Sequence, residues 1–151
     1  MSISKFIPSK IGQWKNEFHG DIEIWVAGYN TTLIIKKIIP HINNKKNIDK
    51  YKIKNILNTL DCHFGLVVMA KHWSMAATDC IRSYPIFWKK VDSIFILSPQ
   101  ANNINNISNS EVDKKQQLAF QMSGYTIGSS TLWKNINNMN TGEFIIFKEN
   151  E

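Results

Sequence analysis

The chain has 151 residues, 43% of them apolar, and a formal net charge of +6. That length and apolar content fit one folded domain with a core of its own and exclude a disordered chain. No apolar run approaches the roughly 20 residues a membrane helix needs, and the first residues carry no basic-then-apolar leader. The expectation is a cytoplasmic protein without a membrane span.

The cations are almost all lysines, met in small groups along the chain: Lys36-Lys37, Lys45-Lys46, three within residues 50–54, Lys89-Lys90 and Lys114-Lys115, with Arg82 the single arginine. A scattered charge of this kind reads as a solvated basic surface, with a small nucleic-acid-binding module as the less favoured alternative. Cys62 and Cys80 have no Cys-x-x-Cys or Cys/His spacing and lie in apolar stretches, which reads as two reduced, buried thiols. His19, His41, His63 and His72 show no ligand spacing, so neither a metal nor a cofactor is expected. Cys62 and His63 adjoin, but neighbours on a strand point to opposite faces, so they are not read as a catalytic pair. The five tryptophans read as packing residues.

In chain order, residues 1–20 give an edge strand or a hairpin, closed by the turn signal Gly20-Asp21. Residues 21–29 alternate, with Ile22, Ile24 and Val26 on one face and Glu23 and Trp25 on the other, as a strand does. Residues 31–39 fit a strand by β-branching and a helix by spacing, and periodicity leaves both open; Pro40 ends the segment. Residues 43–47 are a loop. Asp49 caps a helix to Leu60 with Tyr51, Ile53, Ile56 and Leu57 on its apolar side. Residues 64–70 and 74–78 pair as antiparallel strands. Residues 84–89 and 93–97 form a hairpin turning near Val91-Asp92. The Asn-rich residues 101–110 read as a loop. Residues 111–121 read as a helix capped by Ser110, and residues 142–147 as a last strand. The outcome is an α+β fold, antiparallel sheets with helices on their outer faces. Its core should hold Phe64, Leu66, Val68, Ala76, Ile86, Ile94, Ile96, Ile145 and Phe147.

Four blocks in order carry a resemblance. The first is Leu60-Asp61-Cys62-His63-Phe64-Gly65. The second is Ala77-Thr78-Asp79-Cys80-Ile81-Arg82 followed by Tyr84-Pro85-Ile86-Phe87-Trp88. The third is Ser93 to Ala101, and the fourth runs from Gly128 through Thr131-Leu132-Trp133-Lys134-Asn135-Ile136 to Met139-Asn140-Thr141-Gly142-Glu143-Phe144-Ile145. Their order and spacing over about residues 57–147 resemble the class II glutamine amidotransferase domain at the N-terminus of asparagine synthetases. The corresponding family stretches read Ala-Arg-Asp-x-x-Gly, Lys-Pro-Leu-Tyr-Tyr and Thr-Leu-Phe-Lys-Gly-Ile.

The resemblance implies an N-terminal-nucleophile hydrolase type of antiparallel sandwich flanked by helices, with residues 1–151 as a single domain. It also implies a glutaminase whose chemistry has been lost. That family uses an N-terminal cysteine, and here Ser2 follows Met1. A hydroxyl needs a stronger base than a thiol does. At the family's oxyanion turn stands Ala27-Gly28-Tyr29, which keeps the glycine and lacks the Asn amide. No arginine precedes Arg82, so the group that would hold the substrate carboxylate is absent, and Asp49 matches the amine-binding Asp poorly. Catalytic residues are therefore none, with Ser2 and Gly28 as the alternative for an active glutaminase. Asp79 is expected to cap its loop by accepting backbone N–H groups, with Arg82 beside it in a structural turn or as a recognition pair. No Ser-Gly-Gly-x-Asp-Ser pyrophosphate loop occurs, so the implied partner is an asparagine-synthetase-type synthetase domain or subunit. The chain is then either a separate domain or part of a longer reading frame. Two further expectations follow: residues 1–5 loosely held, and the vacated glutamine pocket filled by Tyr29 and Trp25.

Overall fold

The computed structural model describes residues 3–10, 12–42 and 48–148. Five strands form one sheet: β2 (Lys15–His19), β3 (Ile22–Gly28), β4 (Phe64–Met69), β5 (Trp73–Thr78) and β9 (Phe144–Lys148), adjacent in the order β2-β3-β4-β5-β9 and antiparallel throughout. A second sheet runs β1-β7-β6-β8, from β1 (Ser4–Phe6), β6 (Phe87–Val91), β7 (Ile94–Ser98) and the two-residue β8 (Asn137–Asn138). Strand β1 joins it parallel to β7, with Ser4 opposite Phe95.

The layers follow from where each face is buried. Ile22, Ile24 and Val26 of β3 and Phe64, Leu66 and Val68 of β4 pack under helices α1 (Thr31–Ile38) and α2 (Lys50–Asn58). The alternate residues Val67, Met69 and Ala76 meet Phe6, Phe95 and Leu97 of the second sheet. Ile96, on that sheet's far face, packs with Ile136 and with Ile104 of helix α3 (Ala101–Ser108). The order is helix, sheet, sheet, helix. Every residue of β4 and β5 is buried, because both faces of the five-stranded sheet are covered there. Their near-continuous apolar runs are what such a position demands.

This corrects how the expected core faces. Phe64, Leu66 and Val68 are buried, but against the helices and not between the sheets. Ala76, Ile86 and Phe147 are buried between the sheets as expected, Ile96 is buried on the far face beneath α3, Ile145 is half-buried, and Ile94 is 37% exposed beside the hairpin turn at Asp92-Ser93. The second hairpin starts three residues later than expected, because residues 84–86 lead into β6 outside the ladder.

Residues 31–39 resolve as helix. The Asn30 side chain accepts from the N–H of Leu33, Thr31, Ile34, Ile35 and Ile38 form the buried stripe, and Pro40 sits in a 3-10 turn at Ile39–His41. The Asn-rich residues expected as a loop form α3. Asn is a weak helix former, but Ile104 is fully buried and tertiary packing overrides propensity. Helix α4 spans Lys114–Ser123, three residues later than expected at its start. Its cap is Asp113, whose carboxylate accepts from Lys115 and Gln116, since Val112 is held in a bridge to Trp133.

The start of the chain is also corrected. Ile3 and Ser4 are buried, the Ile3 carbonyl accepts from Phe95 N–H at 2.9 Å, and Phe6 lies between the sheets. The expectation that residues 1–5 are loosely held therefore fails at Ile3 and Ser4, which strand pairing with β7 and the buried Ile3 and Phe6 hold in place. Ser2 and the loop at residues 43–47 lie outside the described residues. Among those described, no helix is long and apolar enough to cross a membrane.

Candidate functional site

A cavity of about 810 Å³ opens where β5 ends and where β4 and β9 begin, walled on one side by the last turns of α2. Its lining includes Tyr29, Lys54, Asn58, Asp61, Cys62, His63, Asp79, Cys80 and Glu143.

Asp79 builds the corner beneath it. The residue is 4% exposed. Its Oδ2 accepts from Phe64 N–H at 2.9 Å and Ser83 N–H at 3.1 Å, and its Oδ1 from Ile81 N–H at 2.8 Å. Its own N–H donates to the Phe64 carbonyl, and its carbonyl accepts from Arg82 and Gly142. Burial alone would raise the carboxyl pKa, but the N–H donors of Ile81, Phe64 and Ser83 and the Ser83 hydroxyl outweigh it and hold the pKa below its usual value. The expected cap is present, and it joins three segments. Arg82 turns the loop with φ 56° and donates to the Met139 carbonyl at 3.2 Å. The pair is a structural turn.

Ser83 Oγ lies 3.0 Å from His63 Nδ1. A serine nucleophile needs a base and a group that orients the base. Here the Asp79 carboxylate is turned to backbone donors and to Ser83, not to His63, and both Ser83 and His63 are exposed. The contact lacks the arrangement of a triad.

Cys62 and His63 do share the cavity, because both precede β4 and strand alternation does not apply to them. Burial raises the Cys62 thiol pKa, with Lys37 opposing more weakly, so the thiolate is disfavoured. Neither cysteine is buried as expected: Cys62 is half-buried ahead of β4, and Cys80 is exposed in the corner beyond β5. Both cysteines are free thiols. Among the described residues no group of three or more His, Cys, Asp or Glu is arranged to hold a metal.

Of the residues carried over from the resemblance, Ser2 lies outside the described residues, and Ala27 and Asp49 serve structural roles. Ala27 is fully buried in the sheet opposite Gly65, and Asp49 caps α2 by accepting from Tyr51 and Lys52. Gly28 ends β3 at φ 143°, where a Cβ would come within 2.4 Å of the His63 carbonyl. That contact makes glycine obligatory on steric grounds. Tyr29 is 96% exposed at the cavity rim and fills nothing; Trp25 packs between the sheets against Phe6, ring centroids 5.2 Å apart. Trp14, read from the sequence as a packing residue, closes space against the sheet. The indole of Trp14 lies on Gly65, so closely that a Cβ there would meet its Cη2 at 2.7 Å.

No family profile matches the chain, and no curated protein matches it.

Proposed function

We propose that the chain is a catalytically degenerate glutamine amidotransferase-like domain of the asparagine synthetase family, serving as a structural or regulatory partner of an ATP-dependent amide-forming synthetase. The ordered motif blocks support this reading, as does the helix-sheet-sheet-helix layering expected of an N-terminal-nucleophile hydrolase fold. The site chemistry supports the loss of catalysis. Cys62 is held as a thiol, Ser83–His63 has no orienting carboxylate, and Asp79 is saturated by backbone donors.

The observation that carries a docking role is helix α4. None of its residues is buried. Leu118 is 57% and Met122 79% exposed, and Tyr125 and Ile127 just beyond it are 66% and 64% exposed. Leu118 and Met122 are one turn apart and share a face. Exposed apolar groups gathered on one element mark an interaction site.

The test is sedimentation or calorimetry of the chain with a synthetase subunit that lacks an amidotransferase half, alongside a glutamate-release assay. Binding weakened at least tenfold by Leu118→Asp/Met122→Asp, with glutamine left intact, is the expected result. Glutamate release above background that Ser2→Ala abolishes would overturn it in favour of an active glutaminase.

A further inference from the structure

Residues 36–54 hold seven lysines and one acid, which leaves eleven cations and eleven acids in the rest of the chain. The whole net charge of +6 therefore sits in one segment of 19 residues. Of the small lysine groups that read as scattered, Lys36-Lys37 and the three within residues 50–54 are brought into one layer by the fold. Helices α1 and α2 form a single layer over the five-stranded sheet. Lys36, Lys50, Lys52 and Lys54 are exposed on it.

Two of the described lysines have partners. Lys37 donates to the Thr59 carbonyl at 3.1 Å and so ties α1 to the end of α2. Lys52 lies 3.9 Å from Asp49, both well exposed, a pairing that contributes little. Among the described residues the layer carries Lys36, Lys37, Lys50, Lys52 and Lys54 against the single acid Asp49, a net charge of +4 on its surface.

Tyr51 stands among these lysines and is 82% exposed. Lys54 is one turn away, on the same side of α2. The opposite side of the helix, at Ile53, is fully buried. Lys54 and Asn58 continue this face to the rim of the cavity, where Tyr29 presents a second exposed ring.

We propose that the outer face of α1 and α2 binds single-stranded nucleic acid without reading its sequence. Lysines supply point charges for phosphates, and Tyr51 supplies a surface on which a base stacks. The layer holds no arginine, the side chain whose planar fork best suits bidentate recognition; its lysines act as point charges for a phosphate backbone. A protein partner suits this face less well, since lysine is depleted in protein interfaces. A lipid surface is also less suited, because the apolar side of α2 is buried in the core and cannot insert. This inference goes beyond the docking role assigned to α4.

The experiment is fluorescence anisotropy of the full chain with a labelled 20-nucleotide oligo(U) and its oligo(dT) counterpart, from 50 to 200 mM salt. Binding of either, weakening as salt rises, is expected. Lys50→Gln/Lys52→Gln/Lys54→Gln should lower affinity at least tenfold and reduce the salt slope by about 2. Glutamine matches lysine in helix propensity, and circular dichroism verifies that α2 persists. Tyr51→Ala should cost about tenfold while Tyr51→Phe binds like the parent. Leu118→Asp/Met122→Asp should leave this binding unchanged, which separates it from synthetase docking. Three results would each overturn the proposal. One is no anisotropy change at 50 mM salt, and another is equal binding by the triple variant. The third is heparin or anionic vesicles competing fully while Tyr51→Ala has no effect, which would make this a general polyanion or membrane face.

Discussion

The hydroxyls of Ser4 and Ser74 hydrogen-bond to each other across the space between the two sheets, and both residues are buried. Ser4 belongs to β1 at the edge of the four-stranded sheet and Ser74 to β5 of the five-stranded one. Among apolar neighbours this contact is a polar register mark that helps set β1 against the other layer. A buried hydrogen bond contributes about 1 kcal/mol. Ser74→Ala should therefore lower stability by about 1 kcal/mol, and a double-mutant cycle with Ser4→Ala should return a coupling of about 0.5–1.5 kcal/mol. Strict additivity in urea unfolding would show that the two hydroxyls do not stabilise one another.

Asp79 makes stability depend on pH. Its carboxyl pKa is lowered in the fold, first against the cost of burial and then by its N–H donors. Between the folded and unfolded pKa values the unfolded chain binds more protons, so stability rises with pH there. The contribution is complete above the unfolded value of about 4 and is lost as pH falls through the folded value. Asp79→Asn should flatten that acid limb and cost about 1–3 kcal/mol at neutral pH. Unfolding curves from pH 2.5 to 7 that retain the parent's slope would contradict this.

Phe64 is 3% exposed under the helical layer, and its backbone is held by Asp79. Phe64→Ala should cost roughly 3–5 kcal/mol. A loss below about 1 kcal/mol in denaturant unfolding would show that the β4 face is not packed as described.

At Gly65 the crowding comes from Trp14 and Tyr84. Gly65→Ala should destabilise by about 1–3 kcal/mol through overpacking. Part of that loss should return in Gly65→Ala/Trp14→Leu, which removes the indole ring from the contact. If Gly65→Ala matches the parent in thermal unfolding, the indole does not rest on this residue.

Legibility followed the range over which each signal acts. Asp49 as a cap, the alternation of Ile22, Ile24 and Val26, and the β4-β5 hairpin were readable because a few neighbouring residues decide them. The helix at Ala101–Ser108 was not, since its Asn-rich local composition points away from helix and only Ile104, buried against another layer, favours it. The ordering of Ile3 and Ser4 depends on Phe95 and Ser74, far along the chain. At the candidate site, Asp79 as a loop cap was legible from its place after a strand. The sharing of one cavity by Cys62, His63 and Cys80 was not, because it rests on where β4 and β5 stop. The charge concentration in residues 36–54 was present in the sequence throughout and needed counting by segment, not by chain.

The parallel pairing of β1 with β7 has a consequence for synthesis. Ser4 leaves the ribosome some ninety residues ahead of Phe95, its partner. At roughly 5–20 residues per second that is a delay of about 5–18 seconds. During it Ile3 and Phe6 have no second sheet to cover them, while the β2-β3 and β4-β5 hairpins close on near neighbours. Pairing across so many residues carries a larger loop-closure entropy than either hairpin. Strand β1 thus stays unfastened while both of these hairpins close, and a nascent chain halted before residue 95 would present Ile3 and Phe6 to chaperones.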